Sequence, residues 1–181
     1  CLLSRGLGDV YKRQISVGGV KLMAEVIKVI GKNAFVQVFE STRGMRVGDE
    51  AEFEGHMLEV TLGPGMLSRN YDGLQNDLDK MEGVFLKRGE YTFPLDNDKL
   101  WDFKPLAKVG DKVAAGGWLG EVDENFQPHK IMVPFTFKGE YTVKSLKEAG
   151  QYTIGEVIAV LTDETGKDVE VTMIQLSLIH I

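Results

Sequence analysis

Short runs of Val, Ile, Leu and Phe, each closed by a glycine-containing turn, recur along this chain, and that rhythm confines it to a mainly β fold. Residues 20–30 and 34–40 flank Gly31-Lys32-Asn33, which predicts a hairpin. Over 56–62, Leu58, Val60 and Leu62 alternate with Met57, Glu59 and Thr61, the period of a half-buried strand. Between them, TRGMRVGDEAEF places Gly44 and Gly48 where tight turns need them. Three short strands joined in this way suggest part of a small barrel.

After Gly73 the period changes. Leu74, Leu78 and Met81 stand at i, i+4 and i+7, one helical face closed by Gly83. Strands are predicted again at 84–86, 118–122, 131–137, 140–143, 157–162 and 168–173, the last two around Asp163-Glu164-Thr165-Gly166. Pro94, Pro105, Pro128 and Pro134 all fall in this second stretch, as suits the edges and turns of a sandwich. The expected organisation is a partial N-terminal β-barrel over 15–75, a short helical connector over 76–83 and a lipoyl-like barrel-sandwich domain over 84–175.

The two ends read as translated sequencing adaptor. One DNA element encodes the closing LSLIHI, and its reverse complement encodes DVYKRQ at 9–14, with SRGLG at 4–8 just upstream. On this reading 1–14 and 176–181 are non-native and adaptor-derived. Setting them aside removes the single cysteine, Cys1, so cysteine usage says nothing of the redox compartment. It also removes Arg5, Lys12, Arg13 and Asp9, which moves the net charge from −6 to −8. An acidic chain without a basic stripe is not expected to bind nucleic acid. No apolar run approaches the ~20 residues of a membrane-spanning helix, so direct membrane insertion is not expected either.

Few residues suggest chemistry. A phosphate loop of the Walker type needs lysine and a hydroxyl after its glycine, but Gly31-Lys32 and Gly166-Lys167 are followed by Asn33 and Asp168. LGPGMLS, at 62–68, lacks the lysine and reads as a structural turn. Outside the tail the only histidines are His56 and His129, in different segments, so no metal site is expected. DEAEFE and DNDKLWD read as solvated faces, and Ser68 and Ser145 are too generic to nominate as nucleophiles. Catalytic, cofactor-binding and metal residues are therefore expected to be absent, and Gly44, Gly63, Gly65, Gly73, Gly110 and Gly116 are assigned to structural turns.

VGDKVAAGGWLGEV at 109–122 resembles biotinyl and lipoyl domains, whose modified lysine sits at an exposed hairpin tip. Lys130 would be the arm site of such a carrier. Its surroundings, PHKIMVP, read instead as an extended strand, and the carrier stands as the alternative reading.

The natural segment as a whole resembles the N-terminal part of the catalytic (A) subunit of the V/A-type rotary ATPases, in the bacterial form. The resemblance runs through AEVIKVIGKNAFVQVFESTRGMRVGD, LEVTLGPGMLSRNYDGLQNDLDKM, LWDFKPLAKVGDKVAAGGWLGEV, HKIMVPFTFKGEYTV and YTIGEVIAVLTDETGKDVEVTMIQ in the family's order, with LGPG, YDGLQ and HKIMVP most diagnostic. It implies that 15–75 supplies later strands of the N-terminal barrel and that the remainder is the bulge that sets the catalytic (A) subunit apart from the noncatalytic (B) subunit. The family couples ATP hydrolysis or synthesis to proton or sodium transport, with ATP and Mg held by the parent subunit. The implied partners are the noncatalytic (B) subunit, neighbouring catalytic (A) subunits and the peripheral stalk, in a soluble head on the cytoplasmic face of the membrane. The Walker loop and the water-activating glutamate of the family match no position here, so these residues alone are expected to be inactive and to hold no cofactor. A barrel short of strands presents open edges, which is expected to make 15–75 prone to aggregate.

Overall fold

The structure is a computed structural model and describes residues 2–3, 12–17, 19–53, 58–81 and 87–178. The chain divides into two compact units, one of 1–60, 80–92 and 178–181 and one of 61–79 and 93–177. Residues 61–75 thus group with the sandwich, and 80–92 with the first unit.

The first unit is built on an open antiparallel sheet. Strands β1 (Leu2–Leu3), β2 (Lys12–Val17), β3 (Val20–Ile30), β4 (Asn33–Val38) and β5 (Ala51–Phe53) lie in the order β1-β4-β3-β2-β5. Lys12–Gln14, within the segment set aside above, continue β2 in register with Glu25–Met23 of β3. The predicted hairpin is present, with Gly31 at φ +58° in its turn. Its core is small: Leu22 and Ala24 are fully buried under Val20, Val36, Val38 and Ala51. Beyond the bulge between Val26 and Lys28 the apolar residues Ile27, Val29 and Ile30 are exposed. Glu40 holds the 87–92 segment, accepting from Gly89 N–H at 2.8 Å and from the Tyr91 hydroxyl.

The alternating segment near 60 becomes β6 (Glu59–Leu62), shorter than predicted, with Leu58 buried at its start and Leu62 exposed. His56 and Met57 lie outside the described residues, as do Gly83 and the strand predicted at 84–86.

The expected helical face at Leu74, Leu78 and Met81 is reduced to one 3-10 turn, Leu78–Lys80. Side chains here bond the backbone locally and compete with helix formation. Asp72 accepts from the Leu74 and Asn76 N–H groups at 2.9 and 2.8 Å, and Gln75, at φ +62°, turns its amide onto both backbone groups of Thr61.

The second unit is a two-sheet sandwich. Strands β7 (Trp101–Pro105), β9 (Trp118–Glu124), β10 (Gln127–Met132) and β12 (Gly150–Tyr152) form the sheet β10-β9-β7-β12. Strands β8 (Lys112–Val113), β11 (Tyr141–Leu146), β13 (Ala159–Asp163) and β14 (Asp168–Val171) form β14-β13-β11-β8, and β15 (Gln175–Leu178) pairs with β6. One cluster of the core joins Leu95, Trp101, Phe103, Val122, Ile131, Ile154, Ile158 and Met173, and the other joins Leu119, Val133, Val143, Ala159, Leu161 and Val171. Pro128 lies on β10, the edge strand of its sheet, and Pro134 opens a turn, as expected, whereas Pro105 is the last residue of the interior strand β7. The strand predicted at 131–137 stops at Met132, because Pro134 begins a turn closed by Phe137 N–H. Strand β7 was concealed because it starts on the last two residues of DNDKLWD, and only Trp101 and Phe103 alternate inward before proline intervenes.

Packing of β7 against β9 depends on Gly120. A Cβ there would stand 2.2 Å from Phe103 Cε2 and 2.8 Å from the Lys104 carbonyl oxygen. Gly120→Ala is therefore expected to destabilise the sandwich by about 1–3 kcal/mol, measured as a lower urea midpoint for the second unit.

Candidate functional site

Lys130, the possible arm site, is placed by the register of β10. The hairpin's two-residue turn is Asn125-Phe126, both at positive φ (52° and 64°), the geometry of a type I′ turn. Pairing then runs Gln127 with Glu124, Pro128 with Asp123, His129 with Val122 and Lys130 with Glu121. Lys130 is thus the fourth pair from the tip, and its Nζ is ion-paired with Glu121 and lies 5.0 Å from the Trp118 ring centroid. The tip presents Phe126 to solvent, not a lysine. A modifying enzyme would have to break an ion pair and reach into a strand, so the geometry opposes the carrier reading.

The hydrogen bond from Lys130 holds the Glu121 carboxyl below its ordinary range. A lowered carboxylate contributes stability that is complete above its unfolded pKa and lost as the pH falls through its folded value. Lys130→Met should therefore be less stable than the unmodified chain near neutrality, and that difference should vanish on acidification, as followed by urea melts over a pH series.

The glycine-rich loop has anion-binding chemistry, but its anion is internal. Gly65, at φ +106°, and Leu67 direct their N–H groups at Glu124 Oε1, at 2.7 and 2.9 Å. Glu124 Oε2 lies 2.7 Å from His129 Nδ1. The Glu124 side chain is only 3 % exposed, and its carboxylate occupies the place that a phosphate takes in a nucleotide loop. Glu124 and His129 share a face because the direct partner of Glu124 is Gln127 and His129 is two residues farther along the same strand. Next to the loop, Arg69 is bonded to the fully buried Asp77, and the Tyr71 hydroxyl donates to the Pro94 carbonyl at 2.9 Å. LGPG and HKIMVP, separated in sequence, thereby meet through Glu124 in one hydrogen-bonded joint.

Glu124 was not singled out by sequence reasoning. The available signal was an acid on the inward-facing phase of β9, in line with Gly120 and Val122. Of the assigned turn glycines, Gly44, Gly65, Gly110 and Gly116 have positive φ. Gly63 does not, and serves close approach instead, with Leu95 Cδ1 3.1 Å from where its Cβ would stand. Gly73 meets neither condition. Among the described residues no three His, Cys, Asp or Glu side chains converge as a metal site, and no helix is long and apolar enough to cross a membrane.

Two family models match the chain in order. Residues 7–55 match the β-barrel domain of the ATP synthase alpha/beta family, and 92–176 match the barrel-sandwich domain of the same family's alpha and beta subunits. The chain belongs to the ATP synthase alpha/beta family. It is 46% identical over 162 residues to the V-type ATP synthase alpha chains of Treponema denticola and of Borreliella afzelii, and 44% identical over 172 residues to that of Borreliella burgdorferi. These matches cover 88–92% of the chain but only 28–30% of the relatives' lengths. In this alpha/beta family member, the barrel match falls in the first unit and the barrel-sandwich match, from 93 on, in the second.

The Glu124 joint can be tested directly. Glu124→Ala leaves two amide groups without their acceptor and His129 Nδ1 without its partner, and is expected to cost roughly 2–5 kcal/mol. Amide exchange should accelerate at Gly65 and Leu67 before the rest of the sandwich.

Proposed function

We propose that these residues form the barrel and barrel-sandwich portion of the catalytic alpha chain of a V-type ATP synthase, and that they act as scaffold and contact surface. The observation that carries this reading is the conjunction of two family domains in the right order with 46% identity to V-type ATP synthase alpha chains. The occupied loop supports it: the amide groups best suited to a phosphate are already bonded to Glu124. In the full-length protein, ATP and Mg would be held elsewhere, and phosphoryl transfer would be coupled to proton or sodium movement. The partners are the noncatalytic (B) subunit, neighbouring catalytic (A) subunits and the peripheral stalk, in a head on the cytoplasmic side of the membrane.

A chimera provides the test. Residues 15–175 should replace the aligned stretch of the Treponema denticola alpha chain with hexamer assembly and ATPase activity retained. A chimera that folds but fails to assemble with its partner subunits would overturn the scaffold reading. The chain alone should show no magnesium-dependent nucleotide binding by calorimetry.

A further inference from the structure

Of LGPG, YDGLQ and HKIMVP, only YDGLQ gives no bond to Glu124, and it holds the sole Asp-Gly pair of the chain, in which Asn-Gly does not occur. Gly73 has no positive φ, and a Cβ there would meet nothing within 4 Å, so neither backbone geometry nor packing calls for a glycine. Its chemical effect is another matter. An aspartate before glycine is especially prone to backbone isomerisation, because no side chain shields the glycine nitrogen from the neighbouring carboxyl carbon.

The structure holds this pair short of reaction. Asp72 Oδ1 accepts from the Leu74 and Asn76 N–H groups at 2.9 and 2.8 Å, and Oδ2 accepts from Asn76 Nδ2 at 2.8 Å. The Asp72 carbonyl accepts from Gln75 N–H at 3.1 Å, and the Asp72 N–H donates to the Asn76 carbonyl at 3.2 Å. To bring Cγ onto the Gly73 nitrogen, the side chain and the following backbone bond must both turn, and these bonds pin both. Gly73 itself is exposed, and its N–H donates to nothing among the described residues. The nucleophile is accessible while its electrophile is held away, so the reaction waits on local opening of the turn.

We propose that Asp72-Gly73 is a site of spontaneous isoaspartate formation, gated by the hydrogen bonds of the 72–76 turn. When they break, the Gly73 nitrogen bonds to Asp72 Cγ. Its proton and the hydroxyl of the protonated carboxyl leave as water, and a five-membered succinimide results. Water then reopens the ring at one of its two carbonyls. Cleavage between nitrogen and Cγ restores aspartate, whereas cleavage between nitrogen and the Asp72 main-chain carbonyl carbon leaves the chain running through Cγ as isoaspartate. The water released first is the water taken up last, so no co-reactant is consumed. Isoaspartate lengthens the main chain by one methylene and moves the carboxylate, so the three contacts of Asp72 are lost beside the bonds that tie Gln75 to Thr61. The inference rests on this turn alone and does not depend on the scaffold reading.

The full chain is aged at mildly acid pH in native buffer, in urea below the unfolding transition and in urea above it. Isoaspartate is located by peptide mass spectrometry with electron-transfer fragmentation, and amide exchange at Leu74 and Asn76 reports opening of the turn. Isoaspartate should form at position 72 before any other, at least about tenfold more slowly in native buffer than in the unfolded chain. Below the transition its rate should rise in step with Leu74 and Asn76 exchange. Gly73→Ala should keep the fold, since its Cβ meets nothing, and should slow the reaction in the unfolded chain. The proposal is overturned by equal rates in the native and unfolded chains, by isoaspartate that appears first elsewhere, by a rate indifferent to Leu74 and Asn76 exchange, or by an undiminished rate in Gly73→Ala.

Discussion

The buried carboxylate of Glu124 is the constraint around which the second unit is arranged. An ionised acid withdrawn from water needs several donors close at hand, and an uncompensated one would be strongly destabilising. Here two come from the backbone of a glycine loop, and His129, a neighbour across the β9–β10 hairpin, holds Nδ1 2.7 Å from the second carboxyl oxygen. The arrangement ties 63–67 to the sandwich, and Gln75 extends the tie to Thr61 by bonding both of its backbone groups. Residues that are remote along the chain become a single joint because one charge must be satisfied.

The same joint explains how a glycine-rich loop in an ATP synthase family member can look like a phosphate cradle and serve as structure. Backbone amides do not distinguish a carboxylate from a phosphate by charge. What decides the role is whether the chain supplies its own anion, and here it does. Lys130 follows the same logic: a lysine in a lipoyl-like domain is an arm only if it is presented at a tip, and pairing with Glu121 four steps from the turn removes that possibility.

Much of the architecture was legible in residue order. The hairpin at 20–38, the turn glycines Gly44 and Gly65, the edge prolines and strands β9, β11, β13 and β14 all follow from period-two patterns and turn chemistry. Helical spacing at Leu74, Leu78 and Met81 misled, because Asp72 bonds locally to Leu74 and Asn76 while Gln75 is drawn away to Thr61, and together they hold the segment in turns. Strand β7 was hidden because two inward residues before a proline make too short a pattern to stand out.

By itself, the sequence determined the β class, the positions of most turns and the family, since these rest on local propensities and on motifs that need no partner to be recognised. Tertiary structure alone decided that Glu124 is buried, that it takes the loop amides, that Lys130 is engaged and that the Trp101 N–H is buried without a partner. The reason is physical. Burial and hydrogen-bond partnership depend on which strands become neighbours, and residues 65, 101, 124 and 129 meet only after the sheets have paired.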